Sequence, residues 1–262
     1  MSTPLRPAAA CLTRASITSS LKVELRRLTR SGLGLGVLVG FAFFGLSGPV
    51  LSIYMPEILG AAASTDQLAI SASQATPADA ISLFNQSAMQ LGLIVTVAVA
   101  ITSIGWDTRP GSSIFYRTRV HRLSTVLLPR LIIDWLIALA TYSCGLLLAV
   151  VVTASAIGRP PAGMVVRTWM ACGLYIVMAM SIGHLIAASL RRTTTAIALT
   201  TLLVLVLPVM NQVPGTSRWV PTALLLPTGL HAMPVVVSLV VTGLCAVGSV
   251  LIAGRQTLRR DA

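Results

Sequence analysis

One serine in the apolar part of the chain has the small neighbours that a membrane-embedded nucleophile would need. Ser47 lies in the run Gly45-Leu46-Ser47-Gly48, a Gly-x-Ser-Gly pattern that could belong to an intramembrane serine protease. Such a serine requires a histidine at the same depth, because the activating base must reach its hydroxyl. At about 1.5 Å per residue, His184 is expected roughly 10 Å away from the depth of Ser47. The pattern therefore favours close helix packing through small residues.

Asp134 is the one acidic residue inside an apolar segment, and Arg130 precedes it by four positions. A carboxylate at mid-membrane costs about 3 kcal/mol on insertion scales. Because both residues are expected near the cytoplasmic boundary, we predict an ion pair in the inner leaflet rather than a substrate or ion site. His184 is expected to be a hydrogen-bonded packing residue. A proton-coupled transporter would be expected to carry more acidic residues in its spans.

The sequence contains no GxxxxGK[ST] phosphate-binding loop. The chain is therefore not expected to hydrolyse ATP by itself, and we predict neither a catalytic residue nor a cofactor in it. Its four cysteines form no CxxC pair and no cluster with histidine at ligand spacing, so no structural metal site is predicted. The cysteines are Cys11, Cys144, Cys172 and Cys245.

The composition indicates that most of the chain faces lipid. Hydrophobic residues make up 55% of the 262 residues, charged residues make up 10%, and the mean hydropathy is +0.86. A soluble domain carries about 25% charged residues because its surface faces water. The net charge of +12 does not indicate nucleic acid, because the arginines form short blocks between apolar stretches. These blocks are expected to face anionic lipid headgroups and a protein partner.

Six segments have about the length that a helix needs to cross a hydrocarbon core roughly 30 Å thick. Because lipid offers no hydrogen bonds to the backbone, all six are predicted to be helical. The sequence thus predicts an all-α membrane protein with a single transmembrane domain, and we find no internal repeat. The predicted spans are residues 33–53, 89–106, 127–157, 164–190, 194–210 and 234–254.

The basic residues predict the orientation of these spans. Sixteen of the 19 Lys and Arg residues fall in the N-terminal segment, the second and fourth connections and the C-terminal tail. Only Arg159, Arg167 and Arg218 fall on the other side, together with Glu57, Asp66 and Asp79. Because cytoplasmic loops carry the excess of positive charge, both termini are predicted to be cytoplasmic. A cleaved signal peptide is disfavoured, because the basic region and the apolar run are both too long.

The N-terminal segment carries an amphipathic pattern before the first span. Ile17, Leu21, Leu25 and Leu28 recur at helical spacing, which predicts a helix lying in the cytoplasmic interface. The alternative is a disordered basic tail. We divide the chain into a cytoplasmic tail with this helix (1–31), a six-helix membrane region (32–254) and a cytoplasmic tail (255–262). The charged residues of the interfacial helix are Lys22, Glu24, Arg26, Arg27 and Arg30.

Two external connections are longer than a turn requires. Residues 54–88 are acidic and rich in Ser, Ala and Thr, and they are expected to lie outside the membrane. The other connection, residues 211–233, contains an apolar run at 219–227 that is too short to cross the bilayer, which predicts an interfacial or re-entrant hairpin.

The connection between the second and third spans combines aromatic and basic residues. Pro110-Gly111 indicates a turn, and Ser112 or Ser113 could cap a short helix after it. Aromatic side chains beside arginines in a cytoplasmic loop favour a protein–protein contact, although a simple determinant of topology is the alternative. The candidate contact residues are Asp107, Arg109, Ile114, Phe115, Tyr116, Arg117, Arg119 and Arg122.

The order of several motifs resembles that of ABC-2 type permeases over nearly the whole chain. The first motifs are Val23-Glu24-Leu25-Arg26-Arg27-Leu28-Thr29-Arg30, Phe43-Phe44-Gly45-Leu46-Ser47-Gly48-Pro49 and Tyr54-Met55-Pro56-Glu57-Ile58-Leu59. They are followed by Asp107 to Gly111-Ser112, then by Arg119-Val120-His121-Arg122 and Pro129-Arg130-Leu131. Asp107 stands where the family has Glu, and Val120-His121 replaces the Pro and Ser positions.

This resemblance implies a permease subunit of a bacterial ATP-driven exporter in the cytoplasmic membrane. It implies two permease copies, or this chain with a similar partner, bound to cytoplasmic ABC ATPase subunits that hold the ATP and Mg²⁺. It also implies that the N-terminal helix and the second connection contact the ATPase, the latter as a coupling helix. Substrate would pass between the paired permeases, and the external hairpin would help to close the outer gate.

Other function classes remain compatible with the residues. A secondary transporter or channel is the main alternative, and an intramembrane enzyme is another. Nearly charge-free spans favour amphipathic or lipid-like cargo such as drugs, peptides or lipids. The use of Arg in place of Lys is typical of a GC-rich bacterial source.

Overall fold

The structure is a computed structural model that describes residues 32–62, 75–104, 124–190, 192–212, 219–226 and 231–258, together with Lys22, Leu25, Arg26 and Arg30. Every secondary-structure element in these ranges is helical, and six helical segments are long and apolar enough to cross a membrane. The predicted class, an all-α protein with six membrane spans, is confirmed.

We number the six spans in chain order and define each by its helices. Span 2 is composite, because two α-helices flank a short π-helix, and span 5 ends in a 3₁₀-helix. A further 3₁₀-helix, Pro221–Leu225, lies between spans 5 and 6. The bounds are Leu33–Ala62 for span 1, Pro77–Ser87, Ala88–Gly92 and Leu93–Ile104 for span 2, Ser124–Ala156 for span 3, Ala162–Ser189 for span 4, Thr193–Val206 and Leu207–Gln212 for span 5, and Ala232–Leu258 for span 6.

The predicted external connection over residues 54–88 is wrong at its C-terminal end, because span 2 begins at Pro77 rather than at residue 89. At its N-terminal end, the helix of span 1 continues to Ala62, but the apolar part of that helix ends at Met55, close to the predicted residue 53. A capping box starts span 2: the Thr76 hydroxyl accepts from the Asp79 backbone N–H at 3.3 Å, and the Asp79 carboxylate accepts from the Thr76 N–H at 3.2 Å. This start is polar, so a search for apolar windows passes over it, although Thr-Pro-x-Asp is a recognisable helix start.

The π-helix changes the direction of side chains halfway along span 2. The backbone N–H of Leu93 donates to the carbonyl of Ala88, five residues earlier, which is the π-helical pattern. Gly92 then lies so close to span 1 that a Cβ atom on it would be 2.9 Å from the Phe41 ring. The local widening therefore lets span 2 keep its buried face against span 1.

Span 4 lies at the centre of the bundle. It packs against spans 2, 3, 5 and 6, and 61% of its most apolar window is buried, compared with 17% for span 5 and 22% for span 6. Leu and Val side chains are exposed along the outer faces of spans 5 and 6, as expected for surfaces that face lipid. Spans 5 and 6 are thus peripheral.

Spans 1 and 3 approach one another through glycine. A Cβ atom on Gly145 would lie 2.6 Å from the Phe41 carbonyl oxygen, and one on Gly45 would clash with the Gly145 carbonyl. A Cβ atom on Gly48 would lie 2.8 Å from the backbone of Phe84 in span 2. Only glycine allows this backbone separation, which is typical of helix packing in membranes.

Candidate functional site

The predicted ATPase-contact segment lies outside the described residues. This applies to all eight candidates: Asp107, Arg109, Ile114, Phe115, Tyr116, Arg117, Arg119 and Arg122. The structure describes the two helices that anchor the segment, which end at Ile104 and begin again at Ser124. The assignment of these residues to a partner contact stays a prediction.

The interfacial helix is described at four positions. Lys22, Leu25, Arg26 and Arg30 are helical and exposed, whereas Glu24 and Arg27 lie outside the described residues. Gly32 follows with a φ of +70°, a left-handed conformation that glycine adopts without strain and that often terminates helices. Span 1 begins at the next residue. The helical conformation predicted before span 1 is confirmed at these four positions.

The structure assigns the Gly-x-Ser-Gly run to packing. Both glycines of the run form the close backbone contacts with spans 2 and 3 described above. Among the described residues, the Ser47 hydroxyl donates within its own helix, to the Phe44 carbonyl at 3.4 Å. His184 is engaged by a carboxylate on another span. The preference for packing over a nucleophile is therefore supported by both residues.

Asp134 and His184 form a buried contact between spans 3 and 4. His184 Nε2 lies 3.2 Å from Asp134 Oδ2, and each side chain is 3% exposed. The distance is that of an ion pair, although the direction of approach does not meet hydrogen-bond geometry. His184 was predicted as a hydrogen-bonded packing residue; it is buried, and a carboxylate is its partner.

No single motif indicates that Asp134 and His184 meet, but their depths along the two spans do. Asp134 lies seven residues after Leu127, where the third candidate span starts, and His184 lies five residues before Ser189, where the fourth ends. Consecutive spans run in opposite directions, so both residues fall about 7–10 Å from the same end of the bundle. Comparing depths along neighbouring spans would have paired them.

Arg130 belongs to the membrane part of span 3 rather than to the preceding connection, where it was counted for the orientation. It is 4% exposed and lies one turn before Asp134 on the same helix. The predicted ion pair between these two residues stays a prediction. Together, Arg130, Asp134 and His184 form a buried group of ionisable side chains near one end of the bundle, which we call the charged cluster.

A small cleft lies beside the carboxylate of the charged cluster. Its volume is about 10 Å³, close to the space that one water molecule occupies. All of spans 1 to 4 contribute to its walls. The lining residues are Gly34, Val37, Thr96, Val99, Ala100, Asp134, Ile137 and Met180.

A second polar contact lies deeper in the bundle. The Tyr142 hydroxyl of span 3 donates to Asn85 Oδ1 of span 2 at 2.9 Å, and the Cys172 thiol of span 4 also lies within hydrogen-bonding reach. The Tyr142 ring stacks with Phe84 and meets Phe41 edge to face, both at 5.9 Å between ring centres. Sequence reasoning missed this contact because it placed Asn85 in the external connection.

Of the apolar run 219–227, the structure describes residues 219–226, which pack against the bundle. Its 3₁₀-helix, Pro221–Leu225, packs on spans 4 and 6, and Leu224 is 1% exposed. Trp219 is exposed just before it. The interfacial or re-entrant placement of this segment stays a prediction.

The described residues contain no group of three or more His, Cys, Asp or Glu side chains that could hold a metal ion. In comparisons with known proteins, no protein-family model matches the chain and no curated protein matches it either.

Proposed function

We propose that this chain is the permease subunit of an ATP-driven ABC exporter of the ABC-2 type in a bacterial cytoplasmic membrane. The observation that carries the proposal is the ordered set of motifs in the sequence, which accompanies a six-span helical bundle. An even number of spans returns the chain to its starting side, as the charge distribution requires if both termini are cytoplasmic.

The proposed mechanism places the chemistry on a partner. Since no phosphate-binding loop is present in this sequence, separate ATPase subunits would bind ATP and Mg²⁺. Their closure would move the segment between Ile104 and Ser124, which continues directly into span 3. Two permease copies would then exchange between inward- and outward-facing arrangements. The apolar spans favour amphipathic or lipid-like cargo, such as drugs or lipids.

Purification of the full chain from its native membrane tests the proposal. An ATPase with a phosphate-binding loop should co-purify, and ATP turnover should be present in the complex and absent from the isolated chain. Absence of any ATPase partner, or ATP turnover by the isolated chain, would contradict the subunit assignment. Labelling of single cysteines should reach position Ser71 from outside and Ser113 only from inside; the reverse pattern would overturn the orientation.

The contact segment has its own test. The pair Phe115→Ala and Tyr116→Ala removes two aromatic anchors, and anchors of this kind contribute about 2 kcal/mol or more, roughly thirtyfold in affinity. Co-purification of the ATPase should fall while membrane insertion is retained, because the arginines that set topology remain. Charge reversal of Arg117 and Arg119 to Glu should also weaken assembly, more strongly at low salt.

Arg218→Glu in the external connection is the matched control and should leave ATPase binding unchanged. Normal co-purification and normal ATP turnover with the double alanine variant would contradict the coupling role of the segment.

A secondary transporter is the second candidate, and one observation favours it. A buried carboxylate and imidazole in contact inside the spans are groups that ion-coupled transporters use. Transport that persists in ATP-free vesicles under an ion gradient, and stops in Asp134→Asn, would favour this candidate over the exporter.

A further inference from the structure

The charged cluster and the cleft lie where four spans meet at one end of the bundle. Asp134 contacts His184 across spans 3 and 4, and it also lines the cleft together with Gly34 of span 1 and Thr96 of span 2. The nearest ends of these spans lead to the basic connections and the N-terminal segment. A movement of Asp134 away from His184 would therefore change the packing of all four spans around the cleft.

The beginning of span 3 contains a weak point below this contact. Pro129 lies inside the helix, one residue before Arg130 and five before Asp134. A proline lacks the backbone N–H that would bond to the carbonyl four residues earlier, and its ring disfavours straight helix geometry. The turn formed by residues 124–128 can therefore bend relative to the rest of span 3 more easily than any other part of that helix.

The contact between Asp134 and His184 can be exchanged for contacts with water. In the structure, Asp134 Oδ2 and His184 Nε2 lie 3.2 Å apart with both side chains buried, and a buried carboxylate is costly without polar partners. When the ends separate, water can enter from the nearby boundary and hydrate both groups instead. The packing next to Asp134 already includes a cleft large enough for one water molecule. Interior packing generally leaves few such spaces.

We propose that the Asp134–His184 contact is a latch that holds the inner ends of spans 3 and 4 together and keeps the four-span cleft closed. Pro129 is the hinge about which the first turn of span 3 moves when the latch opens. Asp134 and His184 are positioning residues in this scheme, since they act on the helices rather than on a ligand. The latch concerns the chain alone and does not require the ATPase partner proposed above.

Accessibility of the cleft tests the latch on the full chain. In a background with the four natural cysteines replaced by alanine, Ala100→Cys places a thiol in the wall of the cleft at a position that is 2% exposed. A membrane-impermeant maleimide should label it slowly in inside-out vesicles. Asp134→Asn and His184→Gln should each raise the rate about tenfold, within the range of typical conformational couplings. The exchanged pair Asp134→His with His184→Asp should return the rate to within about twofold of the original.

Two variants control for the loss of a buried polar group. Thr141→Ala on span 3 and Ser181→Ala on span 4 remove hydroxyls that, among the described residues, donate within their own helices, to Ile137 and Ala138 and to Val177. Both should leave labelling of position 100 unchanged. Pro129→Ala should slow the labelling in the Asp134→Asn background, because a continuous helix resists bending.

A second probe separates latch opening from loss of the fold. Ala138→Cys lies one turn deeper on span 3 and is 1% exposed, so it should stay unlabelled in the latch variants. The latch is overturned if neither single variant accelerates labelling at position 100. It is also overturned if positions 100 and 138 accelerate equally, or if the exchanged pair labels as fast as the single variants.

Discussion

Span 3 makes two contacts that differ in kind. Toward span 1 it presents Gly145, which receives the backbone of Phe41 and the neighbouring Gly45 at a separation that a Cβ atom would prevent. Toward span 4 it presents Asp134, which contacts His184 with both side chains buried. In lipid the hydrophobic effect does not draw helices together, so close packing and polar contacts have to do so.

The two contacts differ in what can replace them when the helices move apart. The glycine contact stabilises the bundle only when the two backbones are close, because its stabilisation comes from dispersion attraction between complementary surfaces, and this attraction is lost when they separate. The polar contact can be replaced by water at the membrane boundary. Spans 1 and 3 are therefore expected to move as one body, whereas spans 3 and 4 can separate at one end.

The largest expected loss of stability comes from adding a methyl group at the glycine contact between spans 1 and 3. Gly45→Ala places a Cβ atom against the Gly145 carbonyl, and overpacking of this kind costs up to about 3 kcal/mol. Gly36→Ala on the same helix is the control, since no described residue beyond its own stretch of helix has an atom within 4 Å of its Cβ position. Gly36→Ala should be neutral or stabilising by up to about 1 kcal/mol. Thermal unfolding in micelles measures both, and equal effects would refute the close contact.

The polar contact should show a smaller, mutually dependent effect. In a double-mutant cycle, Asp134→Asn and His184→Gln should each destabilise the folded chain, and the double variant should lose less than their sum. The expected interaction free energy is about 1–2 kcal/mol, because reported values for polar contacts between membrane helices are modest. Additive losses in chemical unfolding would mean that the two residues act independently.

The smallest expected change in stability distinguishes the hydroxyls of two buried tyrosines, Tyr142 and Tyr175. Tyr142→Phe removes the hydrogen bond to Asn85 and should cost about 0.6 kcal/mol, the average for such bonds between membrane helices. Tyr175→Phe is the matched control, because the Tyr175 hydroxyl is buried without a hydrogen-bond partner among the described residues. Removing it should stabilise the chain slightly, since an unsatisfied buried hydroxyl is unfavourable. Equal losses for both variants, compared by their unfolding midpoints, would contradict this difference.

Much of the architecture could be predicted because a helix that crosses the bilayer needs about 20 consecutive, mostly apolar residues. Spans 1 and 3 to 6 were located from apolar length alone, and their positions agree with the helices to within a few residues apart from the extension of span 1. The predicted span 2 starts too late, because its first eleven residues mix polar with apolar side chains and form a helix through the Thr76 cap and packing against span 1. Polar residues of a span that are buried against protein, such as Asn85, lower its mean hydropathy and hide the start of the helix from a search for apolar length.

The sequence by itself determined the solvent of this protein, the number of its spans and the small-residue character of the Gly45 to Gly48 run. These are properties of single segments, and each follows from the cost of exposing charge or backbone to lipid. Tertiary structure decided which partners meet: Gly45 with Gly145, Tyr142 with Asn85, and Asp134 with His184. Each of these contacts joins different helices, and its geometry depends on how those helices rotate and approach, which no single segment encodes.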